Sequence, residues 1–86
     1  MNFTIDYDNQ PKKFLKKLDK QNAFRLITKI EVTLTTNPVP HDAKTIVGEH
    51  GVFRIRVGNF RVLYRINYEN NCIIVIKIDN RERVYQ

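Results

Sequence analysis

The residue types that most often build covalent, metal and membrane sites are scarce in this chain. Its single cysteine, Cys72, excludes an internal disulfide and suits a reducing cytoplasm. The two histidines, His41 and His50, have no cysteine or acidic partner at metal-ligand spacing. The longest aliphatic run, 73–76, is far too short to span a bilayer, and no signal peptide is visible. The three glycines fit turns and form no phosphate-cradling loop. We therefore expect a cytoplasmic protein without a metal, a cofactor or a membrane span.

Positive charge is what the sequence has in excess. Fifteen Lys and Arg stand against nine Asp and Glu in 86 residues, which gives a net charge of +6 and a pI of about 9.7. A chain of this length forms one domain, residues 1–86, with a modest core. The charge predicts an acidic or polyanionic partner. The plain alternative is that the charge only keeps the protein soluble.

The hydrophobic patterns give the element order β-α-α-β-β-β. Apolar residues alternate in a first strand, 3–7, and then recur at helical spacing in two helices. A four-residue break at 19–22 predicts an antiparallel helix pair, and the prolines of 37–40 end the second helix. Further strands are expected at 44–47 (a weak pattern), 52–57, 60–67 and 72–79. The prediction is an α+β domain, with the helix pair packed on one face of a mostly antiparallel, twisted sheet. The other face, or part of it, is left for a ligand.

Arginines follow an ordered pattern in the central hairpin. Alternate side chains of a strand point to opposite faces, so Arg54 and Arg56 are separated from the apolar residues of their strand. After a turn at Gly58, the return strand places Arg61, Leu63 and Arg65 on one face and its other apolar residues, Phe60, Val62, Tyr64 and Ile66, on the opposite face. Four arginines raised from two neighbouring strands must meet an anionic ligand or remain in water. The pattern is a first indication of nucleic-acid binding.

The segment 54–64, the helix pair before it and the closing run from Arg81 to Tyr85 resemble the RelE branch of the RelE/ParE toxin superfamily. The hairpin is shared across that superfamily, whereas the Arg-x-Arg-x-Tyr ending is similar to its RNA-cleaving branch. The resemblance implies the toxin of a toxin–antitoxin pair, which enters the A site of the 30S ribosomal subunit and cleaves mRNA. It also implies a RelB-like antitoxin as partner. The implied reaction needs no metal, because the RNA 2′-hydroxyl attacks the adjacent phosphate.

The same resemblance implies roles for individual residues. Arg61 and Arg81 would hold and neutralise the scissile phosphate, and Arg81 would protonate the leaving 5′-oxygen. Arg54 and Arg56 would flank the nucleophile, and Tyr85 would stack on or orient a nucleotide. These five residues form the implied catalytic set. The implied RNA-binding set comprises Lys44, Arg65 and Arg83.

Proton transfer is where the sequence departs from the family. Relatives often carry lysine where this chain has Arg54 and Arg56, and arginine is not a plausible general base. The other titratable candidates, Glu82 and His50, match no position known in the family. Other interpretations stay open: the arginines form a solvated face paired with acidic residues, or Arg65 is structural. The protein could also be a ParE-like toxin that poisons DNA gyrase without nuclease activity, or a decayed toxin that only binds its antitoxin and operator DNA.

Overall fold

A computed structural model describes residues 2–46 and 48–80 of the chain. Over these residues the elements are β1 (Thr4–Tyr7), α1 (Asn9–Lys17), α2 (Lys20–Leu34), β2 (Lys44–Thr45), β3 (Val52–Val57), β4 (Phe60–Asn67) and β5 (Cys72–Asn80). The strands form one sheet in the order β1-β5-β4-β3-β2. β1 runs parallel to β5, and the other neighbours are antiparallel. The predicted α+β class, with two helices against a mostly antiparallel sheet, is confirmed. The weak strand predicted at 44–47 is confirmed over Lys44–Thr45, and Val47 lies outside the described residues.

The connection between the two helices is shorter than the sequence pattern indicated. Asp19 is already the N-cap of α2, and its Oδ2 accepts a hydrogen bond from the backbone N–H of Asn22 at 3.2 Å. Its Oδ1 accepts a second bond, from the Asn22 side chain, at 2.7 Å. Because these bonds satisfy the first turn, α2 begins at Lys20. The predicted break over 19–22 is therefore wrong.

One face of the sheet packs against both helices. The inward side chains of α2, Leu26, Ile30 and Leu34, are at most 1% exposed. From α1, the Phe14 ring meets the Phe60 ring edge-on, with centroids 5.8 Å apart. The buried strand residues beneath the helices are Ile55, Val62, Tyr64, Ile73, Val75 and Ile78. By strand alternation, the side chains between these positions point to the second face of the sheet.

Tyr64 links the core to the loop that leads into β2. The side chain is fully buried, and its ring stacks on Phe53 with centroids 5.8 Å apart. Its hydroxyl donates a hydrogen bond to the carbonyl oxygen of Pro38 at 2.7 Å. The bond holds the loop after α2 against the sheet, and so fixes the approach to Lys44.

Cys72 lies outside the core, although its place within an apolar strand suggests a core position. Its neighbour Ile73 points into the core, so Cys72 faces the other side of β5 and is partly exposed. The thiol donates a hydrogen bond to the Asp6 carboxylate at 3.3 Å. Burial raises the pKa of the Cys72 thiol, and the Asp6 carboxylate adds to the effect. The reactive thiolate is therefore disfavoured.

Within the described residues, no helix has the length and apolar character needed to cross a membrane.

Candidate functional site

A first row of cations runs across the second face of the sheet. Lys44 on β2 pairs with Arg54 on β3, and Arg54 pairs with Leu63 on β4. Leu63 pairs in turn with Lys77 on β5. Side chains directly opposite each other on antiparallel strands have Cβ atoms roughly 4.5–5.5 Å apart. The register therefore brings two of the predicted site residues, Lys44 and Arg54, next to each other.

A second row lies beside the first, towards the turn of the hairpin. Arg56 pairs with Arg61 across β3 and β4, and Arg61 pairs with Asp79 on β5. The Arg61 guanidinium donates two hydrogen bonds to the Asp79 carboxylate, from Nε to Oδ1 at 3.1 Å and from Nη2 to Oδ2 at 2.9 Å. The two side chains are 29% and 26% exposed. The pair is therefore partly shielded and bidentate, a geometry that fixes the guanidinium plane more firmly than an exposed single contact does.

The two rows enclose a small cleft on this face. A cavity of about 280 Å³ is lined by Asp42, Lys44, Arg54 and Arg56. Three of its four lining side chains are cations, so the cleft favours an anionic group. Two of the arginines and the lysine that the sequence singled out thus meet in one depression.

Arg65 lies at the other end of the same hairpin. It pairs with Val52, four residues along β4 from Arg61, which is roughly 13 Å in an extended strand. Its Nη1 donates a hydrogen bond to the backbone carbonyl of His50 at 3.2 Å. Val52 is only 1% exposed, so this end of the face is covered. The structure therefore does not bring Arg65 or His50 to the Arg56–Arg61 row, and Arg65 has a structural contact of its own.

Three predicted site residues, Arg81, Arg83 and Tyr85, lie outside the described residues, as does Glu82. Arg81 follows Asn80, the last residue of β5, directly in the sequence. Among the described residues, no group of three or more Asp, Glu, His or Cys side chains could hold a metal ion.

Asp79 is the member of the site that the sequence analysis missed. Counting back from the turn at 68–71 with regular pairing would set Arg61 opposite Ile78. A β-bulge intervenes: Tyr64 pairs with Val75 but Leu63 pairs with Lys77, so Ile76 is skipped. The extra residue shifts Asp79 to the position opposite Arg61. Alternation after the bulge was the available signal, since Lys77 and Asp79 are polar and flank the apolar Ile78.

Comparisons with known proteins agree with this architecture. Residues 5–85 match the family described as ParE toxin of type II toxin–antitoxin system, parDE. A protein of Methanocaldococcus jannaschii named as toxin RelE1 is 37% identical over an alignment of 89 positions, which covers 100% of this chain and 98% of that protein. A chain of the RelE–RelB complex of Pyrococcus horikoshii superposes with a TM-score of 0.77 at 27% identity, covering 96% of this chain and 99% of that one. A chain of the toxin–antitoxin complex RelBE2 of Mycobacterium tuberculosis superposes with a TM-score of 0.83 at 24% identity, with coverage of 94% and 93%.

The full-length match to RelE1 and the family match over 5–85 confirm the resemblance that the hairpin and the C-terminal motif indicated. The chain belongs to the RelE/ParE family of toxins from type II toxin–antitoxin systems.

Proposed function

We propose that this toxin is a cytoplasmic, ribosome-dependent endoribonuclease that cleaves mRNA in the ribosomal A site. The observation that carries the proposal is the pairing of Arg56 with Arg61 across the hairpin, beside the basic cleft that Lys44 and Arg54 line. A phosphodiester bond that is being cleaved gains negative charge, and preorganised guanidinium groups stabilise that charge. The two rows supply several such groups within one short stretch of sheet.

In the proposed reaction the 2′-oxygen attacks the adjacent phosphorus while the bond to the 5′-oxygen breaks. The products are a 2′,3′-cyclic phosphate and a 5′-hydroxyl. Arg61 holds the phosphate through its planar donor fork, and Arg54 and Arg56 stand beside the nucleophile. Arg81 protonates the leaving 5′-oxygen, and Tyr85 stacks on a nucleotide, roles that this chain takes over from the family pattern.

RNA outside the scissile phosphate meets the rest of the basic surface. Lys44 stands at the edge of the cleft and, together with Lys77 in the same row, contacts the backbone as a flexible point charge. Arg83 belongs to the proposed RNA-binding set through the family pattern. Arg65 belongs to it only as a peripheral contact, because its guanidinium already bonds the His50 carbonyl.

We infer that the partner which silences the toxin is a RelB-like antitoxin. The solved relatives from Pyrococcus horikoshii and Mycobacterium tuberculosis are toxin–antitoxin complexes. A net charge of +6 and two cationic rows favour an acidic segment that folds on this surface. Such a segment covers Arg54, Arg56, Arg61 and Arg81, or a helix of the antitoxin displaces the run from 81 to 85.

A ParE-like poison of DNA gyrase is the second candidate, and the family match over 5–85, which carries the ParE description, favours it. A gyrase poison binds its protein target without cleaving RNA and has no need of arginines aligned around a phosphate. The joint presence of Arg61 with Arg81 and Tyr85 of the C-terminal motif therefore favours the nuclease.

Primer extension on mRNA in a reconstituted translation reaction tests the two candidates. We expect new 5′ ends at the A-site codon when the protein is added, and none when the mRNA is incubated without ribosomes. A parallel gyrase supercoiling assay should show no inhibition. Inhibition of gyrase together with intact mRNA would support the ParE-like activity and contradict the proposal.

A further inference from the structure

We propose that Asp79 is the general base that takes the proton from the 2′-hydroxyl. This inference rests on the proposed endoribonuclease function and names a residue that the family pattern does not supply. A general base must offer a lone pair within hydrogen-bond reach of the proton that it removes. Guanidinium groups carry no such lone pair, so Arg54, Arg56 and Arg61 are excluded. Lys44 and Lys77 are exposed ammonium groups, which donate hydrogen bonds and accept none.

The Asp79 carboxylate, by contrast, lies in the row of paired arginines. Arg61 contacts it through the Nε and Nη2 atoms, which form one edge of the guanidinium. A phosphate held by the Arg61 guanidinium would lie no further from the Asp79 carboxylate than the width of that group. The 2′-oxygen becomes bonded to the phosphorus in the reaction and must therefore approach the same place. Each carboxylate oxygen has two lone pairs, and the two bonds to Arg61 use one on each oxygen.

The bulge in β5 explains why a carboxylate is available at this point. Without the extra residue, Ile76, Asp79 would stand opposite Phe60, whose ring packs on α1 at the helix face. With it, Asp79 joins Arg56 and Arg61 on the cationic face. Bulges commonly redirect a side chain next to a functional site. Here the irregularity delivers the one functional group that the arginines lack.

The proton and electron balance of the step is complete without a further reactant. Asp79 accepts the proton as the bond from the 2′-oxygen to phosphorus forms. The bond from phosphorus to the 5′-oxygen breaks, and that oxygen takes a proton either from water or from Arg81, which then regains a proton from solvent. Asp79 then releases its proton to solvent, which restores the carboxylate for the next cleavage.

Asp79→Asn tests the inference, because the amide keeps the size of the side chain and one acceptor for Arg61 but is not a base. We expect the single-turnover cleavage rate on programmed ribosomes to fall by roughly 10²–10⁴, the usual worth of a general base. Ribosome binding should be unchanged or tighter, since a negative charge has been removed. Glu69→Gln, which makes the same charge change in an exposed turn, should leave the rate within about threefold of the native protein.

A double-variant cycle separates a base from a residue that only orients Arg61. If Asp79 is the general base, adding Asp79→Asn to the Arg61→Ala variant should lower the cleavage rate by at least another factor of ten. No further loss in that background would mean that Asp79 acts through Arg61 alone, which would overturn the inference. A native rate for Asp79→Asn, or loss of the rate in Asp42→Asn instead, would overturn it as well. If the native protein itself leaves mRNA intact on the ribosome, the proposed endoribonuclease function is wrong, and the role of Asp79 that rests on it is wrong as well.

Discussion

The side-chain amide of Gln10 forms with the backbone of Ile78 the two hydrogen bonds that a neighbouring strand would form. Gln10 Nε2 donates to the Ile78 carbonyl oxygen at 2.8 Å, and the Ile78 N–H donates to Gln10 Oε1 at 2.9 Å. The pairing of β1 with β5 ends at Tyr7 and Val75, so Gln10 continues the ladder where β1 stops. The bond pair ties α1 to the part of β5 that carries Asp79.

Gln10→Ala should therefore destabilise the fold. The variant leaves both backbone groups of the buried Ile78 without the amide, and an unsatisfied buried polar group costs about 1–3 kcal/mol. In a domain of this size, each kcal/mol lowers Tm by roughly 4–8 °C. Thermal unfolding followed by circular dichroism measures the change. Gln21→Ala, at an exposed position of α2, is the matched control, and equal Tm values for the two variants would contradict the role of Gln10.

The next prediction concerns Arg61 and Arg81, the arginines proposed to hold the phosphate. Arg61→Ala and Arg81→Ala should each lower A-site cleavage by roughly 10²–10³, because each removes a proposed donor to the developing charge. The measurement is the single-turnover rate of mRNA cleavage on programmed ribosomes. Arg25→Ala removes the same charge from an exposed position of α2 and should cleave at close to the native rate. Native rates in both active-site variants would contradict the assigned mechanism.

The sequence predicted the hairpin well because two physical signals agree there. Alternation over 52–57 and 60–67 places all four arginines on the face opposite the helices, and Gly58 supplies the positive φ of +59° that the turn uses. The register between the strands followed from that turn, and with it the pairing of Arg56 and Arg61. Local pattern was sufficient because every contact involved is local.

The features that the sequence did not predict depend on contacts between distant segments or on single irregular residues. No periodic pattern marks Gln10 as a partner of Ile78, because a side chain that bonds a backbone 68 positions away leaves no local trace. The bulge at Ile76 lies inside a run of four apolar residues, where alternation gives no register. Asp79 was therefore assigned to a strand without being assigned a partner.

Binding of RNA should depend on salt through the cationic rows. Lys44→Ala and Arg54→Ala should weaken binding to ribosome-bound mRNA similarly for different codons, because phosphate contacts carry no sequence information. Each variant that removes one phosphate contact should also reduce the slope of log affinity against log salt by about 0.7, the value for single strands. Titrations at several salt concentrations measure the slope. An unchanged slope would exclude that residue from the RNA contacts.

Alkaline pH should destabilise the protein through its buried tyrosines. Burial raises the pKa of the Tyr64 hydroxyl, and the Asp42 carboxylate adds to the effect. Burial likewise raises the pKa of Tyr7, next to Glu31. The folded state thus keeps protons that the unfolded state releases above its ordinary tyrosine pKa of about 10, so stability falls as the pH rises from there.

Tyr64→Phe separates this titration from the hydrogen bond that the same hydroxyl makes. At neutral pH the variant should lose about 1 kcal/mol with the bond to the Pro38 carbonyl. Above about pH 10 its stability should fall less steeply than that of the native protein. Urea unfolding at a series of pH values tests both effects, with Tyr68→Phe, 63% exposed, as the control. If the stability of Tyr64→Phe and of the native protein fell equally steeply above about pH 10, Tyr64 would not be the titrating group.

The final prediction concerns the antitoxin. Its association with the toxin should slow as salt rises past about 0.15 M, where the Debye length is near 8 Å, because the cationic rows steer an acidic segment. Arg54→Ala/Arg56→Ala should slow association more than Lys12→Ala/Lys13→Ala, which removes the same charge from the exposed side of α1. The assembled complex should nevertheless persist at high salt, since exposed charge pairs contribute little and apolar burial holds it together. Stopped-flow association across a salt series provides the measurement. An association rate that does not change with salt would contradict electrostatic steering. A complex that dissociates at modest salt would contradict stabilisation by apolar burial.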